Sequence, residues 1–113
     1  MLVDVSKVKL TVTAPRENVD EIRRALGEAG TGIIGNYHHC CMVTDCIGTF
    51  IPDETCHPHI GTINELAYVE EGKIEVQCDV KLVKEVCRIL REVHPYEEVP
   101  IEIYPLIDES AFE

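Results

Sequence analysis

Hydrophobic period switches along this chain from strand-like to helix-like and back, twice, and that order leaves few architectures open. Val8, Leu10 and Val12 alternate with Lys9, Thr11 and Thr13 up to Pro15, so residues 7–14 read as a half-buried strand. Over residues 17–29, Val19, Ile22, Ala25, Leu26 and Ala29 recur at helical spacing, with Gly30 where a left-handed C′ residue belongs. Residues 33–44 and 47–51 read as a strand or hairpin arm broken near Asp45, followed by a loop over residues 52–64 marked by Pro52, Pro58 and Gly61. Residues 66–69 and 73–79 form strand material around a turn-like Glu70-Glu71-Gly72. A second helix over residues 81–93 carries Leu82, Val86, Ile89, Leu90 and Val93 on one stripe and is stopped by Pro95. Ile101 and Ile103 mark a last strand, and the tail from residue 107 is expected to fray.

The order β-α-β-β-α-β predicts an α+β, ferredoxin-like sandwich with two helices on one face of an antiparallel sheet. At 113 residues the chain is expected to be one domain, residues 1–113, with its core between about residues 7 and 106. The free face of such a sheet must meet water or a neighbour, and its weakly charged middle strands predict burial by a second subunit.

Charge narrows the partners. Ten basic residues against 21 acidic give a formal charge of −11, a field that repels phosphate backbones and anionic lipid heads. Nucleic acid and membrane are therefore not expected as partners. The start has no basic segment leading an apolar run, and no stretch approaches the roughly 20 apolar residues of a membrane span. A cytoplasmic protein with reduced cysteines is the expectation, with Cys78 and Cys87 as small buried hydrophobes.

Within residues 38–59 stand His38, His39, Cys40, Cys41, Cys46, Cys56, His57 and His59, all of the chain's 5 histidines and 6 cysteines except His94, Cys78 and Cys87. If residues 38–41 lie on a strand, His38 and Cys40 share one side and His39 and Cys41 the other, so all four cannot bind one ion. A loop folding back could complete a site through Cys56-x-x-His59 or His57-x-His59. Mixed imidazole and thiolate would suit Zn²⁺, or Cu or Fe among redox ions. The candidate metal ligands are His39, Cys41, Cys46, Cys56, His57 and His59. No paired CxxC motif supports a standard zinc finger. Redox-sensing thiols and a purely structural role remain open alternatives. HPYEE, residues 94–98, reads as turn chemistry after a helix, although Glu97 and Glu98 beside a histidine could hold a cation or act as acid and base.

Two separated motifs carry a resemblance. Gly30, Gly32, Gly35, Asn36, Tyr37, His39 and Cys40 approximate GxxGxxGNYxHC, with one glycine shifted by a position. Gly48-Thr49-Phe50, Pro58, Ile60-Gly61, HPYEE and Ile103-Tyr104-Pro105-Leu106 come after them in order. This resembles the PII-like, cation-tolerance-protein-like domain inserted in bacterial members of the NGG1p-interacting-factor family of dinuclear-metal proteins. The resemblance covers about residues 7–106 and implies a ferredoxin-like fold with a tendency to trimers or other homo-oligomers. It does not imply catalysis, because the dinuclear centre belongs to flanking domains. His38, Cys41 and the Cys56-His57-Pro58-His59 segment depart from the family pattern, so the family assigns them no role.

Three functions stand as alternatives. The favoured one is a small oligomeric PII-like binding or sensor protein for a metal ion or small metabolite. The second is an interaction module that caps or regulates a separately encoded metal-dependent partner. Catalysis is least supported, since no nucleophile, orienting base and substrate site can be named together, and no HExxH, phosphate-loop or Ser-His-Asp pattern occurs.

Overall fold

The computed structural model describes residues 4–113. It contains β1 (Lys7–Pro15), α1 (Val19–Glu28), β2 (Met42–Phe50), β3 (Ala67–Asp79), α2 (Val83–Val93) and β4 (Ile101–Leu106), with short 3-10 turns ahead of both helices and at Glu109–Ala111. The strands form one antiparallel sheet in the order β2-β3-β1-β4. Each β-α-β unit is thus split by one intervening strand, which is the expected ferredoxin-like arrangement.

Strand alternation builds the core. Val8, Leu10, Val12 and Ala14 of β1 lie opposite Cys78, Val76, Ile74 and Gly72 of β3, and all of these point toward the helices. Ile22 and Leu26 of α1 and Val86 and Leu90 of α2 cover them with no exposed surface. Gly72 has no side chain because Val19 of α1 occupies the space a Cβ would need. Glu70-Glu71-Gly72 therefore continues a strand, although the same residues read as a turn in the sequence. Asp45, the expected break, pairs with Gly72 inside an unbroken β2 and lies 3.6 Å from Arg16.

The end of α1 forms as expected. Gly30 takes φ +99°, its N–H donates to Gly27 O, and the Thr31 N–H donates to Leu26 O, the two bonds of a Schellman cap. Of the strand or hairpin arm expected over residues 33–44, only residues 42–44 belong to β2. Ile34 and Tyr37 exchange N–H···O bonds of 3.0 Å around Gly35-Asn36, a two-residue turn with Gly35 at φ +58°. Gly32 and His39 also have positive φ, so the backbone cannot stay extended before Met42. Residues 109–111 of the tail form a 3-10 turn, in which the Asp108 carboxylate accepts the Ser110 N–H at 3.0 Å.

The free face carries Lys9, Lys73, Glu75, Glu102 and Tyr104 by register, and Lys9 pairs with Glu75 at 3.0 Å. It is more charged than the middle-strand composition suggested. Exposed apolar side chains on or beside β2 and the first residues of β3 include Met42, Val43, Ile47, Ile51, Leu66 and Tyr68. Among the described residues, no helix is long and apolar enough to cross a membrane.

Candidate ligand cavity

Three segments converge where β2 and β3 run beyond the helices. On the free face, Cys46 is paired with Glu71, and Gly48 and Phe50 come next on the same side of β2. The connection from β2 to β3 folds back over them. Its base is closed by the Asn64 N–H donating to Pro52 O at 2.7 Å. Asp53 forms an Asx turn, accepting the Thr55 N–H at 2.9 Å and the Cys56 thiol at 3.5 Å. Gly61, at φ +105°, lets the chain press onto the Phe50 ring. The third wall is the HPYEE segment, joined to the loop by the His57 N–H donating to Glu97 Oε1 at 2.9 Å.

These walls enclose a cavity of about 500 Å³, within the size range of small-molecule sites. Phe50, Ile51, Pro52, Pro58 and Ile60 give it apolar sides, while Thr13, Cys46, Cys56, His59, Glu71 and Tyr96 present polar atoms.

Glu71 and Tyr96 form its floor. The Tyr96 hydroxyl donates to Glu71 Oε2 at 2.9 Å, and Glu71 is only 6% exposed. Gly48 makes room for this carboxylate, since a Cβ there would overlap Glu71 Oε1. Burial first, then the hydrogen bond and charge of Glu71, pushes the Tyr96 hydroxyl above the ordinary phenol range, so it stays a donor. Behind it, His94 is buried, with its ring 4.8 Å from that of Tyr96. The Tyr96 N–H donates to His94 Nδ1 at 3.1 Å, so Nε2 carries the proton and donates to Thr13 O at 2.7 Å. Burial lowers the basicity of His94, outweighing the opposing carbonyl bond and the Glu71 charge. His59 and Phe50 complete an aromatic group, their rings 6.3 and 6.5 Å from Tyr96.

The six candidate metal ligands divide. Cys46, Cys56 and His59 line the cavity, and His57 borders it through its backbone. His39 lies elsewhere, its ring over Gly27 of α1 where a Cβ would overlap it. Cys41 packs against the core. The two-sided division of residues 38–41 does not apply, because they form a loop rather than a strand. Among the described residues, no three His, Cys, Asp or Glu side chains are grouped to hold a metal ion. All six cysteines are free. Glu71 and Tyr96 are not among the candidate ligands, and His94 enters only as the histidine beside Glu97 and Glu98. HPYEE was visible as a motif, but Glu71 read as part of a turn, and only the strand register brings it to Tyr96.

No family model matches the chain. It is 41% identical over 98 residues to the GTP cyclohydrolase 1 type 2 homolog of Bacillus subtilis, covering 87% of this chain and 26% of that protein. Among solved structures, the Bacillus cereus protein related to NIF3 superposes with a TM-score of 0.80 at 38% identity, covering 92% of this chain and 26% of that one. The periplasmic divalent cation tolerance protein CutA of Archaeoglobus fulgidus gives a TM-score of 0.67 at 17% identity over 88% of this chain and 83% of that one, a likeness of fold alone. The chain spans about a quarter of the length of the curated relatives it matches. It is homologous to one segment of these NIF3-related proteins and shares its fold with CutA.

Proposed function

We propose that this chain is a PII-like binding module whose ligand occupies the cavity between β2, residues 51–66 and residues 94–100. The observation that carries this reading is the convergence of polar groups, Glu71, Tyr96 and His59 among them, on a space of about 500 Å³ that also has apolar walls. A small metabolite suits that space better than a bare metal ion, since the imidazole and thiolate ligands are not gathered around one point. The exposed apolar side chains on and beside β2 favour assembly into a homo-oligomer, and the resemblance to PII-like domains makes a trimer the preferred state.

Crystals soaked with a fragment library test the reading. Density against Phe50, His59 and Tyr96 is the expected result. Hits that leave this cavity empty and cluster elsewhere would overturn it. Metal analysis of untagged protein decides the metal alternative: near-stoichiometric Zn, Cu or Fe, lost on replacing Cys56 and His59 with Ala, would put an ion at this site instead.

A second reading, an interaction module acting on a larger partner, is favoured by one observation: the matched segment lies within relatives about four times longer. A pull-down with the matched relatives' remaining segment as bait, giving no complex, would count against it.

A further inference from the structure

We propose that the cavity selects a ligand bearing an organic cation of the amidinium or guanidinium class, bound to the carboxylate of Glu71. This rests on the reading of the cavity as a ligand site and goes beyond it by naming the group recognised.

A buried carboxylate needs a counter-charge or several donors, because leaving water removes its solvation. Glu71 is 6% exposed. Its side chain receives one hydrogen bond among the described residues, from Tyr96 to Oε2, and no ion pair reaches it. The Arg16 guanidinium is turned away: it bonds the Glu71 main-chain carbonyl at 3.3 Å and pairs with Asp45 and Glu70. By register those two carboxylates lie on the helix side of the sheet, while the Glu71 side chain lies on the free side and lines the cavity. Oε1 receives no hydrogen bond among the described residues, and Glu71 lines the cavity.

The surroundings fit a flat cation. Gly48 leaves room for Oε1 beside β2, where any side chain would displace the carboxylate. Phe50, His59 and Tyr96 offer ring faces, and Glu97 and Glu98 add negative charge at the rim. Glu71, Glu97 and Glu98 line the cavity and no Lys or Arg does among the described residues, so a carboxylate or phosphate would meet no fixed positive charge there. A planar N–H pair can meet Oε1 while the Tyr96 bond to Oε2 stays intact.

The probe is benzamidine, compared by calorimetry with its neutral isostere benzamide and with benzoate. Wild-type protein is expected to bind benzamidine roughly tenfold or more tightly than benzamide, from the charge-assisted bond in a partly dehydrated site. Glu71→Gln should reduce benzamidine to the benzamide level, Tyr96→Phe should retain the preference, and Glu28→Gln on α1 should leave it unchanged. Equal binding of benzamidine and benzamide by wild type, or an equal loss in Glu28→Gln, would overturn the proposal without needing any variant of Glu71 to fold. If neutral or anionic fragments fill the cavity while benzamidine does not, the cationic selectivity is wrong and the binding module stands. If no probe or soaked fragment enters it, both fall.

Discussion

The Tyr96 hydroxyl reaches Glu71 Oε2 at 2.9 Å, joining a loop beyond α2 to the middle of β3, 25 positions away in sequence. This bond holds the floor of the cavity and the HPYEE segment together. Tyr96→Phe removes the donor and leaves a buried carboxylate poorly satisfied, at an expected cost of about 1–3 kcal/mol in urea unfolding. In a double-mutant cycle with Glu71→Gln, the two losses should couple rather than add.

Gly27 inverts an ordinary rule. In a helix interior Gly→Ala stabilises by about 1 kcal/mol. Here the His39 ring occupies the space of the new methyl group. Gly27→Ala is expected to lower the melting temperature, and His39→Ala in the same protein should restore it. A stabilised single variant would show that His39 does not pack there.

Gly48 tests the floor directly. Gly48→Ala places a methyl group on Glu71 Oε1, so the carboxylate must swing off Tyr96. An overpacking cost of about 1–3 kcal/mol is expected in chemical denaturation. Tyr96 fluorescence should change with it.

His94 makes stability depend on pH. Its folded-state basicity lies below the usual value of 6.5, chiefly through burial. The unfolded chain therefore binds a proton there that the folded chain resists. This contribution is complete above about pH 6.5 and is lost as pH falls below it. Neighbouring His59 works in the same direction and Glu71 against it. Melting temperature should drop between pH 7.5 and 5.5, and His94→Gln should flatten that part of the profile.

The architecture was legible because each strand and helix carries its own hydrophobic period: Val8, Leu10 and Val12 on β1, and Val86 and Leu90 on α2, name the core outright. The cavity was half legible. Cys46, Cys56 and His59 were singled out by residue type, but soft side chains crowded in sequence need not crowd in space. His39 and Cys41 were drawn away by a loop whose course depends on positive φ at Gly32, Gly35 and His39. Glu71 was hidden for the opposite reason. Glu-Glu-Gly reads as a turn locally, and only the packing of Val19 onto Gly72 explains why it continues a strand.

The most direct test of the cavity as the binding site is amide chemical-shift mapping of labelled protein titrated with a fragment that binds. The largest shifts should fall at Gly48, Phe50, Cys56, His59, Glu71 and Tyr96. Shifts centred on residues 38–41 and the facing end of α1, with the cavity amides unmoved, would contradict it.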